Sequence, residues 1–150
     1  MALKYDFQSS PSFWIGLTNH LLERAMNRKL APTGITLRQV QVLATLSLFG
    51  ERSQVDLSED LRVEPSTVVR VLDRMERDGW VERHPAPDDR RKKLIRTTDK
   101  VKPTWNKIIN LGEEVRDLAT AGFSEEELET LKSLLGRIQE NLDAVEQDDA

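Results

Sequence analysis

Residues 61–100 read LRVEPSTVVRVLDRMERDGWVERHPAPDDRRKKLIRTTDK. Up to Gly79 the apolar residues Val68, Val71, Leu72 and Met75 recur every three or four positions, which predicts a helix from Pro65 to Asp78. Pro65 suits the first turn, where the backbone donor it lacks has no helical partner, and Gly79 suits the stop. Beyond Gly79 the period changes. Trp80 to His84 reads as a short strand and Lys93 to Thr97 as its antiparallel return, with a Pro- and Asp-rich turn between them. The polar side of the helix shows Ser66, Thr67, Arg70 and Arg74, groups that donate hydrogen bonds to phosphates and base edges. Acids between Asp73 and Asp78 confine the favourable face to the first half of that helix.

Upstream, Val55, Leu57 and Leu61 predict a brief helix, joined by the connector Glu51 to Gln54 to an earlier one. Thr36 followed by Gln39 is a capping box that opens this earlier helix, with Val40, Leu43, Ala44, Leu46 and Leu48 apolar and Gly50 as its stop. A first helix from about Ser12 to Leu30 carries Trp14, Leu17, Leu21 and Ala25. Downstream, Thr98 is placed to cap a long helix with Val101, Trp105, Ile108, Val115 and Leu118 apolar, ending near Gly122. Ser124 and Glu127 form a second capping box ahead of a last helix. Its stripe is Leu128, Leu131, Leu135, Ile138, Leu142 and Val145.

The whole chain has 150 residues and a net charge of −4, which alone argues mildly against an anionic partner. The distribution says otherwise. From Arg90 to Lys102 there are seven Lys or Arg residues against one acid, Asp99, whereas the stretch from Glu113 onward is dominated by Glu and Asp. There is no cysteine, so thiol nucleophiles and disulfides are excluded, and the two histidines, His20 and His84, are too isolated to suggest a metal site. No apolar run approaches a membrane span and no signal peptide is visible, so a cytoplasmic protein without cofactors is the expectation. Catalysis is disfavoured too: there is no glycine-rich phosphate loop, and the acids sit on helix faces or at caps.

Two helices in succession, then a hairpin with a basic turn, describe a winged helix-turn-helix: mainly α with a small β-hairpin. A helix fits the DNA major groove, while an extended hairpin reaches the backbone or the minor groove. The segments GITLRQVQVLATL, VEPSTVVRVLDRMERDGWVERHPAPDDRR and TTDK resemble the MarR/SlyA family of transcriptional regulators over nearly the whole chain. That resemblance implies a single domain over 1–150, with a winged core at about 36–98 and a dimerisation region formed by 10–31 and 99–146. It implies a homodimer that binds a palindromic operator in double-stranded DNA, most commonly as a repressor, with activation by displacing a silencing protein as the alternative within the family. A winged helix used only for protein association is the alternative outside it.

Residue by residue, the helix, the wing and the resemblance together imply DNA contacts from Pro65, Ser66, Thr67, Arg70, Arg90, Arg91 and Lys92, and the charge of Arg62, a departure from the family pattern, adds a candidate phosphate contact. The resemblance implies wing support from Asp89, which would hold Arg91, and from Asp73 with Arg74. Leu17, Leu21, Leu128, Leu131, Leu135, Ile138 and Leu142 would form the dimer seam. A small aromatic carboxylate or phenolic effector is implied, with Trp14, His20, Arg24 and Trp105 as candidate contacts; the same side chains read also as helix packing or an exposed face. Three positions depart from the family pattern. Arg62 stands where relatives carry a turn glycine, so either the backbone there avoids positive φ or it tolerates strain. Thr97 replaces a leucine, and Val101 a glycine.

Overall fold

The computed structural model describes residues 6–89 and 91–148; Arg90, expected at the wing tip, lies outside the described residues. The elements are α1 (Pro11–Leu30), α2 (Leu37–Phe49), β1 (Arg52–Ser53), α3 (Gln54–Leu61), α4 (Pro65–Arg77), β2 (Val81–Pro85), β3 (Lys93–Thr97), α5 (Lys102–Ala119) and α6 (Glu125–Asp148). The chain divides into two compact units, residues up to Val115 and residues from Arg116 onward.

In the first unit, local sequence signals set the helix starts. The Thr36 hydroxyl accepts from the Gln39 backbone while the Gln39 side chain accepts from Thr36 N–H, so two otherwise orphaned donors of α2 are satisfied. Ser53 and Asp56 do the same for α3. The core lies where α2, α3 and α4 meet the sheet, and Leu43, Leu57, Val68, Leu72, Met75 and Ile95 are buried there. Val68, Leu72 and Met75 share one face of α4, as the periodicity predicts. Leu48, expected on the apolar stripe of α2, is instead 76% exposed, because the helix ends at Phe49 and its last turn runs past the core.

The sheet has the order β1-β3-β2 and is antiparallel throughout. Val81 lies opposite Thr97 and Pro85 opposite Lys93. The third strand corrects the sequence reading of Glu51 to Gln54 as a plain connector: Arg52 and Ser53 pair with Ile95 and Leu94. Two residues carry no alternation, and their pairing depends on an edge of β3 supplied some forty positions later. Thr98 is a second correction. It does not cap the long helix; its hydroxyl donates to Gly79 O at 2.5 Å, and a 3-10 turn, Asp99–Val101, intervenes before α5. That helix ends at Ala119, short of Gly122.

In the second unit, Ser124 N–H donates to the Glu127 carboxylate and Glu127 N–H to the Ser124 hydroxyl, the capping box read from the sequence. Leu128, Leu131, Leu135, Ile138, Leu142 and Val145 fall within an arc of about 100° on α6. Leu131, Leu135, Leu142 and Val145 are exposed, with Leu142 at 62%.

Candidate nucleic-acid interface

The turn between α3 and α4 sets the geometry of the site. Ser58 Oγ donates to Val63 O at 2.6 Å, and the Val63 and Arg62 N–H groups donate back to Ser58 O and Glu59 O. Arg62 closes this turn with φ 50° and ψ 48°, left-handed backbone that ordinarily favours glycine. The second of the two sequence alternatives therefore holds: this turn tolerates strain. The Arg62 side chain is exposed.

Pro65 opens α4 after Glu64, whose side chain makes no capping hydrogen bond. The positive end of the helix dipole is thus left without a side-chain acceptor. Ser66 and Arg70 stand exposed one turn apart, and Arg70 Nε donates to Ser66 O at 3.3 Å, which lays the guanidinium back along the helix toward its start. Thr67 is half-buried. Arg74 is exposed and makes no ion pair among the described residues.

The wing is a continuation of β2 and β3. Ala86 N–H donates to Lys92 O at 2.8 Å, Lys92 N–H to Asp89 O at 3.0 Å, and Arg91 N–H to Asp89 Oδ1 at 2.9 Å. The Asp89 carboxylate is thereby bonded to the backbone of Arg91, holding the turn that displays Arg91, rather than to its guanidinium. Arg91 and Lys92 are both exposed.

A residue that sequence reasoning missed joins wing to helix. Arg83 on β2 donates through Nη2 to Asp73 Oδ1 at 2.6 Å and through Nη1 to Glu76 Oε2, while its backbone N–H donates to Glu76 Oε1 at 3.2 Å. Burial works against the Arg83 charge, yet the hydrogen bonds it donates to Asp73 and Glu76 outweigh this and raise the guanidinium pKa above its ordinary value. Asp73 and Glu76 at i and i+3 on one helix face were the available signal: a paired carboxylate face facing a strand arginine. A second cluster ties the sheet together. Glu51 Oε2 lies 3.2 Å from His84 Nε2, and Arg96 Nε donates to Glu82 Oε1 at 2.5 Å.

The candidate effector residues are not brought into one cavity. His20 and Arg24 line an open groove along α1 with Glu23, Asn27, Arg28 and Ala31. Trp14 packs edge-on against Phe13 and donates its indole N–H to Gln8 O at 2.8 Å. Trp105 lines a separate cleft of about 190 Å³ with Leu43, Ser47, Thr97, Thr98, Asp99, Val101 and Lys102. On α1, Leu17 and Leu21 are exposed along with Trp14. Among the described residues, no helix is long and apolar enough to cross a membrane, and no group of three His, Asp or Glu side chains could hold a metal.

A short helix pair with an open second helix and a basic hairpin clamped to it define a winged helix-turn-helix DNA-binding protein. The sequence model of the MarR family matches residues 35–93. HTH-type transcriptional regulator PecS of Dickeya dadantii is 32% identical over 144 residues, covering 91% of this chain and 86% of that protein. The multiple antibiotic resistance protein MarR of Escherichia coli is 30% identical over 125 residues, covering 83% and 87%. A structure of a mutant MarR from E. coli complexed with operator DNA superposes with a TM-score of 0.73 at 30% identity, covering 83% of this chain and 90% of that one. The chain belongs to the MarR family, and with it to the DNA-binding transcriptional regulators rather than to the enzymes.

Proposed function

We propose that the chain acts as a homodimer on an inverted-repeat operator and represses transcription by occupying it. The observation that carries this reading is the joint exposure of Pro65, Ser66 and Arg70 at the uncapped start of α4 and of Arg91 and Lys92 on the wing. A helix start presents donors to base edges, and a guanidinium on a slender turn suits the narrow minor groove, where negative potential is strongest. The relative solved with operator DNA supports the same assignment.

Dimerisation is supported by the apolar residues that α1 and α6 each expose, Trp14, Leu17 and Leu21 on one and Leu131, Leu135 and Leu142 on the other. Such surface is costly in water and suits a self-complementary seam. Two recognition helices one DNA turn apart read two half-sites, which raises affinity beyond that of either alone. An aromatic carboxylate or phenol fits the Trp105 cleft in chemistry, with Leu43, Val101 and the indole as apolar walls and Ser47, Thr98 and Lys102 as polar groups.

Footprinting of the purified protein on the promoters it regulates, combined with in vitro transcription, tests the reading. Protection of two half-sites with a fall in transcript supports it; a rise in transcript on the same site replaces repression by activation, and absence of protection removes operator binding altogether.

A further inference from the structure

The C-terminal end of α4 is held by two independent devices. The first is internal: Gly79 at φ 77° lets its N–H donate to Glu76 O at 2.9 Å, and Trp80 N–H donates to Met75 O at 2.9 Å, a Schellman closure. The second comes from the junction between the wing and α5. Lys100 Nζ donates to Asp78 O at 2.7 Å, Thr98 Oγ1 to Gly79 O at 2.5 Å, and Thr98 N–H to Trp80 O at 2.9 Å. Three successive carbonyls at the foot of the helix are therefore bonded from one short segment. The Lys100 side chain lies so close to Gly79 that a Cβ there would sit 3.1 Å from its Cδ.

We propose that Lys100 and Thr98 are positioning residues for DNA recognition: they fix the foot of α4 against the β3–α5 junction and so set the angle at which its start meets the major groove. The inference rests on the DNA-binding reading above. An ammonium at a helix C-terminus is favoured by the dipole, and three bonds to consecutive carbonyls leave the helix little freedom to pivot. Arg83 restrains the last two turns of the same helix, through Asp73 and Glu76. With the foot and the last two turns both held, the tilt of the exposed start is determined by the frame around it. A small pivot of that start separates base contacts before it affects phosphate attraction, because base-edge hydrogen bonds tolerate less displacement than a screened charge interaction does.

The test is an anisotropy titration of wild type, Lys100→Met, Thr98→Val, the double variant and Lys100→Arg against an operator duplex, obtained by selecting genomic fragments with the wild type, and against a scrambled duplex of equal length over a range of salt. The double variant is expected to lose on the order of tenfold in operator affinity. Its affinity for the scrambled duplex and its salt slope should match wild type, and Lys100→Arg should recover most of the loss. Lys100 is exposed, so Lys100→Met alone carries the test if Thr98→Val does not fold, with a proportionately smaller loss expected. Operator affinities indistinguishable from wild type overturn the proposal. So does an equal loss on both duplexes with a salt slope smaller by about two, one per protomer, which makes Lys100 a phosphate contact. A wild type that retains no duplex at all overturns the DNA reading itself, a failure seen before any variant is compared.

Discussion

Arg83 on β2 and Asp73 on α4 are joined by a 2.6 Å ion pair, with Glu76 completing a fork around the same guanidinium. The wing and α4 are consequently one mechanical piece, and each can be disturbed through the other. Replacing Arg83 leaves Asp73 and Glu76 as unneutralised neighbours. The Arg83→Met variant should lose about 1–2 kcal/mol of stability in urea unfolding, a figure kept low because both carboxylates are partly exposed. It should also bind its operator more weakly although it removes no exposed cation. An operator affinity equal to that of wild type would show that the wing needs no such anchor.

Arg70 and Arg91 should separate by the kind of binding they affect. Arg70→Ala is expected to cost about 1–3 kcal/mol on the operator and to relax base preference at one position, measured by competition with single-base-pair variants. Arg91→Ala should weaken all duplexes more evenly and lower the salt slope by about two, one per protomer. Asp89→Ala should mimic a weaker form of Arg91→Ala, because the carboxylate organises the turn through Arg91 N–H.

Arg62 carries opposite expectations for stability and binding. Its left-handed backbone costs a side-chain-bearing residue roughly 1–2 kcal/mol, part of which glycine's larger unfolded-state entropy offsets. Arg62→Gly should therefore raise the stability of the isolated protein by about 0.5–1 kcal/mol in urea unfolding. A phosphate contact by the exposed guanidinium would cost the same variant about two units of salt slope, one per protomer. A destabilised Arg62→Gly would contradict the strain argument.

The Asp56 carboxylate, in the capping box of α3, is held below its ordinary pKa, chiefly by its hydrogen bonds with the Ser53 backbone and hydroxyl, which outweigh burial, with the charges of Lys92 and Arg52 acting in the same downward direction. A pKa depressed in the folded state contributes stability above the unfolded value and loses it as pH falls through the folded one. Urea midpoints should accordingly decline below about pH 4. The decline should be shallower for Asp56→Asn, which starts from a lower midpoint at neutral pH. Equal acid limbs for the two proteins would remove Asp56 from the explanation.

What was legible in the sequence is what local chemistry dictates. The capping boxes at Thr36 and Ser124, the stripe Val68, Leu72 and Met75, and the switch of period at Gly79 each draw on residues a turn or two apart, and each lies where it was read. What was not legible depends on distant partners. β1 exists only because β3 offers it an edge, and Thr98 bonds Gly79 across nineteen positions instead of capping its own helix. Arg83 looked like an ordinary strand residue until the fold placed Asp73 and Glu76 beside it. For the effector contacts, spacing along the chain could not reveal that His20 with Arg24, Trp14 and Trp105 occupy separate surfaces.

The measurement closest to the central claim is a salt titration of the purified protein on the genomic fragments it selects. The account predicts retention of fragments sharing an inverted repeat, with affinity falling on the order of a thousandfold between roughly 50 and 200 mM salt for a dimer with two helices and two wings engaged. It also predicts that the Arg70→Ala and Arg91→Ala variants both bind more weakly. Fragments without a common repeat, or binding indifferent to salt and to both arginines, would contradict it.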